Sequence, residues 1–183
     1  MKKISLIRLS EEHTIAFKEE MQEAFEHGFK SHCHENVDAD DDLNQWQVLP
    51  DKDFYQSLEA EGAEAYEAIS EDGQRVGGAI ITANGNMGEL AFLYVKVGVQ
   101  SKGIGQSIWK SIEAMHPEIE VWETYTPYFD RRNIHFYINR CGFHAVEFFN
   151  EYHPDPYMPE QFDQEDGLFK FEKRILAEEL NIS

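Results

Sequence analysis

The chain has 183 residues, of which 16 are Lys or Arg and 35 are Asp or Glu, so its formal net charge is −19 at pH 7. Because nucleic-acid phosphates are bound by basic surfaces, this charge argues against a DNA or RNA partner. The sequence has no apolar run of about 18 residues, so we expect no membrane span and no membrane partner. The charge suits a cationic small molecule or a lysine-rich substrate, and it is equally explained by solubility alone.

The length fits a single domain, residues 1–183, that buries enough surface for a core. The two cysteines, Cys33 and Cys141, belong to no CxxC pair, so we expect no disulfide framework and a reducing compartment. Arg8 interrupts the N-terminal segment too early for a signal peptide. Together these features predict a cytoplasmic protein.

Turn signals and apolar periodicity divide the first half of the chain into short elements. Ser10 is placed to cap a helix in which Phe or Met recurs every four residues, and Gly28 marks its expected end. Asp72-Gly73 and Asn84-Gly85 are hairpin turn signals. The predicted elements are a strand at 4–9, a helix ending near 28, an exposed loop at 32–42, a helix from 51 towards 62, and strands at 65–69, 75–83 and 88–97.

The second half alternates helices with strands. The strand at 88–97 is apolar on both faces and is therefore expected at the centre of the sheet. A strand, a helix and a strand in succession predict one parallel, right-handed crossover. The predicted elements are a helix that begins at 104 and ends before Pro117, a strand at 119–125, a helix at 130–140 ended by Gly142, a strand at 143–149, a surface excursion at 151–166 and a strand at 167–175. The fold class is α/β (α+β), a mixed, mostly antiparallel sheet with helices on both faces.

The loop between the central strand and the next helix has the features of an anion site. It consists of Gln100, Ser101, Lys102, Gly103, Ile104 and Gly105. Glycines allow a tight turn with outward N–H groups, the helix start adds partial positive charge, and the lysine adds a full one. The loop matches neither the P-loop nor the dinucleotide fingerprint. A P-loop would have Lys-Ser or Lys-Thr after Gly103, where this chain has Ile104-Gly105. The dinucleotide fingerprint would need a third small residue, which is missing. A plain strand-to-helix turn remains an alternative.

A second motif follows about thirty residues later, where Asn133 precedes the pair Phe136-Tyr137 and Gly142-Phe143 ends the helix. The two motifs together resemble the GNAT acetyltransferase superfamily, over about residues 65–149. The resemblance implies acetyl-CoA as co-substrate, no metal, an amine acceptor that is a small molecule or a peptide, and a homodimer.

The resemblance also implies roles for individual residues. The backbones of Val95 and Val97 would bind the pantetheine arm, and the backbone from Gln100 to Gly105 would bind the pyrophosphate. Asn133 would contact the cofactor near the thiol, and Tyr137 would stand beside the sulfur.

Acyl transfer to an amine needs a base for the ammonium and an acid for the leaving thiolate. Tyr137 is the candidate acid because a phenol stays protonated at neutral pH. Glu89, at the start of the central strand, is the candidate base. Glu123 on the next parallel strand and His135 are alternatives, and each of these residues also has a purely structural interpretation.

Two further readings stay open. The segment His32-Cys33-His34 could ligate a metal, although a polar loop fits it better and Cys141 fits a buried small residue. The chain could also bind acyl-CoA without turning it over. The expected function is nevertheless acetyl transfer from acetyl-CoA to a primary amine in a ternary complex.

Overall fold

The computed structural model describes residues 3–32, 48–99, 103–156 and 167–175. Among them lie seven strands of one sheet and four α-helices. The strands are β1 (Ile4–Arg8), β2 (Ala63–Ser70), β3 (Arg75–Asn84), β4 (Met87–Val95), β5 (Val121–Pro127), β6 (His144–Phe149) and β7 (Leu168–Arg174). The helices are α1 (Thr14–His32), α2 (Asp51–Glu59), α3 (Ile104–Met115) and α4 (Arg131–Phe136), with a 3₁₀ turn at Glu11–His13 and a π-helical turn at Tyr137–Cys141.

The strand order is β1-β2-β3-β4-β5-β7-β6, which places β4 in the middle of the sheet. All neighbouring strands are antiparallel except β4 and β5, which run parallel and are joined through α3. The predicted fold class, the central strand and the single parallel crossover are therefore confirmed.

Helices cover both faces of the sheet, as predicted. On one face α1 and α2 bury Phe17, Met21 and Phe54 against Tyr94 of β4. On the other face α3 buries an aromatic and aliphatic cluster in which the Trp109 and Trp122 rings meet edge to face at 5.2 Å. The main members of that cluster are Ile108, Trp109, Ile112, Trp122, Phe143 and Phe171. Burial on both faces explains why β4 lacks a polar side.

Several predicted boundaries were wrong. The first helix does not end at Gly28 but continues to His32, and Phe29, in the added turn, packs on Phe129. The Ser10 side chain makes no capping hydrogen bond; its carbonyl accepts from the His13 N–H in the 3₁₀ turn. Tertiary contacts here override local propensity. None of the helices among the described residues is long and apolar enough to cross a membrane.

Candidate active site

The two central strands separate part-way along their length. β4 and β5 pair at three positions only, the last being Glu89 opposite Glu123. Directly beyond, β4 carries a bulge between Leu90 and Phe92, where one extra residue is inserted opposite β3. Bulges bend a strand and increase its twist, so β4 turns away from β5 here. The result is a V-shaped opening in which, among the described strands, the outer part of β4 has no partner on the β5 side.

The open edge of β4 offers unpaired backbone groups to an extended ligand. Val95 ends the strand and Val97 lies two residues beyond, both half-buried. These are the two positions predicted to bind a pantetheine arm. The Lys96 N–H between them donates to the Val76 carbonyl of β3 at 2.9 Å, which fixes the direction of the chain as it leaves the sheet.

An ion-pair cluster holds the same end of β4 from the α1 side. The Glu20 carboxylate of α1 accepts from Lys96 Nζ at 2.8 Å, from Arg75 Nε at 2.8 Å and from the Tyr94 hydroxyl at 3.2 Å. Burial alone raises the pKa of Glu20, but the two cations outweigh it and hold the pKa below its usual value. Helix α1 is thus anchored to the strand that leads into the predicted phosphate loop.

The N-terminus of α3 lies where that loop ends. Gly103 precedes the helix with φ of 104°, a left-handed conformation that glycine adopts easily. The first N–H groups of a helix have no intrahelical acceptor, and among the described residues no side chain caps this helix. The Ile104 side chain is buried in the core, so that residue can offer only its backbone. Gln100, Ser101 and Lys102 lie outside the described residues.

Close packing between two helices explains the second glycine of the loop, Gly105. A Cβ atom there would lie 3.2 Å from the Phe136 ring, so glycine lets α3 and α4 approach closely. At Gly103 a Cβ atom would meet none of the described residues within 4 Å, so that glycine serves backbone conformation.

Tyr137 reaches the point where the strands part. It begins the π-helical turn, an irregularity frequent at functional sites, and its ring is buried between Phe143 and Phe171. The Tyr137 hydroxyl hydrogen-bonds Thr124, whose own hydroxyl donates to the Leu90 carbonyl at 2.9 Å. Burial raises the pKa of Tyr137 above its usual value, so the phenol stays protonated at neutral pH.

Two carboxylates lie on the opposite face. Leu90 belongs to the α3-side core, so its neighbour Glu89 points to the α1 side, and Glu123 occupies the same row. Burial, and then the charge of Glu123, raise the pKa of Glu89, while Lys170 lowers it. Lys170 Nζ lies 2.8 Å from Glu123 Oε1 and 3.8 Å from Glu172 Oε1. Within the described part of the chain no hydrogen bond or ion pair engages Glu89.

The sequence profile of the Acetyltransferase (GNAT) family matches residues 31–143. The chain belongs to the GNAT acetyltransferase family. A Bacillus subtilis (strain 168) protein described as uncharacterized protein YrkN is 42% identical over 144 residues, which cover 78% of this chain and 74% of that protein.

Solved GNAT structures share the fold at low sequence identity. The PaiA N-acetyltransferase of Thermoplasma acidophilum, in complex with coenzyme A, superposes with a TM-score of 0.63 at 18% identity, covering 94% of this chain and 99% of that one. The spermidine N-acetyltransferase of Vibrio cholerae, in complex with CoA and spermine, gives 0.61 at 11% identity, covering 93% and 95%. At these sequence identities, both similarities show a shared fold only.

Helix α4 and the π-helical turn carry three further residues that the sequence singled out. The backbone N–H and the side-chain amide of Asn133 donate to the Asp130 carboxylate at 2.9 and 2.7 Å, which caps α4. His135 is exposed and lies 3.0 Å from the Asn139 amide, away from the opening. Burial raises the pKa of the Cys141 thiol to about 12, which confirms it as a buried residue and makes it a poor nucleophile.

The alternative metal loop follows the end of α1. Cys33 and His34 lie outside the described residues, as does most of the predicted loop at 32–42. Within the described ranges, no group of three or more His, Cys, Asp or Glu side chains is arranged to hold a metal ion.

Sequence reasoning missed Thr124 and Lys170. Thr124 lies two residues from Trp122 on β5, so the sequence indicates that both face the same side of the sheet. Only the parallel register of β4 and β5 brings the Thr124 hydroxyl to the Leu90 carbonyl. Lys170 reaches Glu123 because β7 pairs with β5, although the two strands are distant along the chain.

Proposed function

We propose that the chain is an N-acetyltransferase that transfers the acetyl group of acetyl-CoA to a primary amine by direct attack in a ternary complex. The observation that carries this proposal is the placement of a carboxylate and a phenol at one strand divergence. Glu89 approaches the opening from the α1 side, and the Tyr137 hydroxyl approaches it through Thr124 from the α3 side.

In this proposal the N-terminus of α3 and the backbone from Gln100 to Gly105 hold the pyrophosphate. The pantetheine arm lies along the open edge of β4, bound by the backbones of Val95 and Val97, so that the thioester enters the V. Asn133 lies near the thiol end. The chemistry needs no metal, because a thioester is already reactive towards a neutral amine.

The reaction then needs two proton transfers. Glu89 takes a proton from the ammonium ion, directly or through one water, and the neutral nitrogen attacks the thioester carbonyl carbon. When the tetrahedral intermediate collapses, the C–S bond breaks and Tyr137 supplies a proton to the departing sulfur. A base whose pKa is raised towards neutrality suits this task better than an ordinary carboxylate. The products are the N-acetyl amine and CoA.

The test is thiol release from acetyl-CoA with a panel of monoamines, polyamines, amino acids, aminoglycosides and peptide N-termini. We expect release with at least one acceptor, and loss of most of the activity in Glu89→Gln. Glu61→Gln, which changes an exposed carboxylate outside the site, is the matched control and should stay active. Binding of acetyl-CoA without release for any acceptor would instead make the chain an acyl-CoA-binding module.

A further inference from the structure

Tyr125 is the first side chain of β5 beyond the strand divergence that faces the same side of the sheet as Glu89. Glu123 is the last residue of β5 that pairs with β4, and Tyr125 follows it by two residues. Because side chains alternate along a strand, Tyr125 and Glu123 share one face, and Thr124 between them faces the α3 side. The opening therefore has a phenol on each side of the sheet, Tyr137 on the α3 side and Tyr125 on the α1 side.

Tyr125 and Glu89 are close enough to contact one small group. Glu89 pairs with Glu123 on the neighbouring strand, about 4.8 Å away, and Tyr125 lies about 6.6 Å further along β5. The Cα atoms of Tyr125 and Glu89 are then roughly 8 Å apart. Both side chains are half-buried and project from the same face, so a group bound between their ends lies at the divergence.

Within the described ranges, neither of these two side chains has a hydrogen-bond or ion-pair partner. Their neighbours in the same row differ, because Lys170 lies 2.8 Å from Glu123 and also approaches Glu172. A half-buried polar group without a protein partner is satisfied by water or by a ligand. The Tyr125 hydroxyl and the Glu89 carboxylate can therefore both bind an incoming polar group.

The Tyr125 phenol is uncharged at neutral pH. Burial, together with the charges of Glu123 and Glu89, raises its pKa to about 12 against the opposing effect of Lys170. An uncharged phenol offers one O–H donor and an oxygen that accepts hydrogen bonds. An ammonium group has three N–H donors, so it can donate to the Tyr125 oxygen and to the Glu89 carboxylate at the same time.

We propose that Tyr125 binds the acceptor, with its hydroxyl oxygen accepting a hydrogen bond from the amino group that Glu89 deprotonates. This inference rests on the proposed acetyltransferase function and adds a residue to its site. Of the three ammonium protons, Glu89 takes one before attack, a second leaves the nitrogen as the tetrahedral intermediate collapses, and the third, held by Tyr125, stays in the amide.

The proposed step balances as follows from these proton positions. The N–C bond forms, the C–S bond breaks, and the sulfur takes a proton from Tyr137. Glu89 and Tyr137 return to their starting protonation through water, so the net products are the N-acetyl amine, CoA and one proton. Tyr125 keeps its own proton throughout and fixes the orientation of the nitrogen.

The first test is Tyr125→Phe, which removes only the hydroxyl. With the amine that gives the fastest thiol release, kcat/KM should fall about 10-fold, because a hydrogen bond to a charged group is lost. The Kd of acetyl-CoA, measured by calorimetry, should change less than about 2-fold, because the cofactor contacts remain. The melting temperature should stay within about 2 °C of wild type, because no intramolecular hydrogen bond is removed.

Tyr152→Phe is the matched control. It removes the hydroxyl of a tyrosine that is 87% exposed and should leave all three values unchanged. A fall in kcat/KM of less than about 3-fold in Tyr125→Phe, or an equal loss of acetyl-CoA affinity, would overturn the Tyr125 assignment and leave the acetyltransferase proposal standing.

The loss should also be independent of the rest of the acceptor. Because the hydroxyl contacts the amino group, Tyr125→Phe should lower kcat/KM by the same factor for two amines that differ in the group attached to nitrogen. A loss confined to one of them would place Tyr125 against that group and contradict the proposal.

Amine binding separates the two proposals if no amine is acetylated. The chain saturated with CoA is titrated with n-butylammonium chloride and followed by NMR. Tyr125→Phe should weaken this binding at least about 3-fold, and Tyr152→Phe should not change it. Equal affinities in all three proteins would overturn the role of Tyr125. Weaker binding in Tyr125→Phe without turnover would retain that role and reject the catalytic proposal.

Discussion

Glu89 and Glu123 lie side by side in the last register pair that joins β4 to β5, and Lys170 Nζ approaches Glu123 to 2.8 Å. Two carboxylates at equivalent places on adjacent strands thereby acquire different environments. Burial and the neighbouring negative charge raise the pKa of Glu89. A carboxylate whose pKa is shifted by burial and by a specific neighbouring charge is typical of acid–base sites.

Glu89→Gln should increase stability while removing activity. A raised pKa means that folding disfavours the charged form, so the wild-type chain has its full stability at low pH and loses some as pH rises through the folded pKa. The variant should therefore melt higher than wild type at pH 8, and the difference should vanish below about pH 4. We expect kcat to fall roughly 10²–10⁴-fold. Melting curves and steady-state kinetics check both; lower stability at pH 8 would contradict the raised pKa.

The acidic limb of the pH profile should move in opposite directions in two variants. Lys170→Met removes the cation that lowers the pKa of Glu89, so the midpoint of kcat/KM should rise. Glu123→Gln removes the anion that raises it, so the midpoint should fall. The measurement is kcat/KM between pH 5 and pH 9 with one amine. If Glu123 is itself the base, Glu123→Gln will abolish activity instead of shifting its midpoint.

Tyr137→Phe should impair chemistry more than cofactor binding. The ring and its packing remain, and only the hydroxyl that hydrogen-bonds Thr124 is lost. Loss of the acid should lower kcat by roughly 10²-fold, about 2.7 kcal/mol, when thiolate departure limits the rate. CoA affinity should change only a few-fold, because one hydroxyl contact is worth about 1 kcal/mol. Calorimetry and kinetics decide: an unchanged kcat with CoA binding weakened more than about ten-fold makes Tyr137 a cofactor contact.

Gly103→Val should abolish stabilisation by acetyl-CoA. At 100 times Kd the ligand should stabilise the wild-type chain by about 2.7 kcal/mol. A side chain at Gly103 would project into the space before α3 and block the pyrophosphate. Gly73→Val is the matched control, because Gly73 also has positive φ, 79°, and open surroundings but lies in the β2–β3 turn. Both variants should lose at least about 1 kcal/mol of stability through backbone strain, and only Gly73→Val should keep the thermal shift with acetyl-CoA.

Salt should lower kcat/KM for a cationic acceptor. The net charge of −19 attracts ammonium ions, and screening shortens that attraction to about 10 Å at 0.1 M salt. We expect kcat/KM to fall as ionic strength rises, with kcat itself little changed. A rate independent of salt between 0.02 and 0.5 M would show that the surface charge serves solubility only.

Local patterns predicted the parts of this molecule that depend on local physics. The two-faced apolar strand, the turn signals at Asp72-Gly73 and Asn84-Gly85, and the left-handed Gly142 all follow from backbone preference and burial, and the structure confirms them. Gly28 was misleading because its cost in a helix is only about 1 kcal/mol. The contact between Phe29 and Phe129 offsets that cost and extends the helix.

The candidate site could be predicted only in part, because the different environments of its two carboxylates depend on pairing between strands that are distant along the chain. The glycine loop and Tyr137 were identified from motifs. The insertion of β7 between β5 and β6, which brings Lys170 to Glu123, has no local signal in the sequence. The bulge after Leu90, which turns β4 away from β5, depends on the register between β4 and β3. Neither the composition nor the hydrophobic periodicity of the sequence predicts it.

Helix α1 contacts both halves of the proposed site. Glu20 holds Lys96 at the exit of β4, and Phe25 and Phe29 further along the same helix contact Phe92 of β4 and Phe129 beyond β5. In the proposed ternary complex, a movement of α1 on amine binding would also move the strand end that leads to the predicted phosphate loop. Because such coupling is reciprocal, the factor by which acetyl-CoA tightens the amine must equal the factor by which the amine tightens acetyl-CoA. For the proposed reaction, α1 would make the amine and acetyl-CoA effectors of each other.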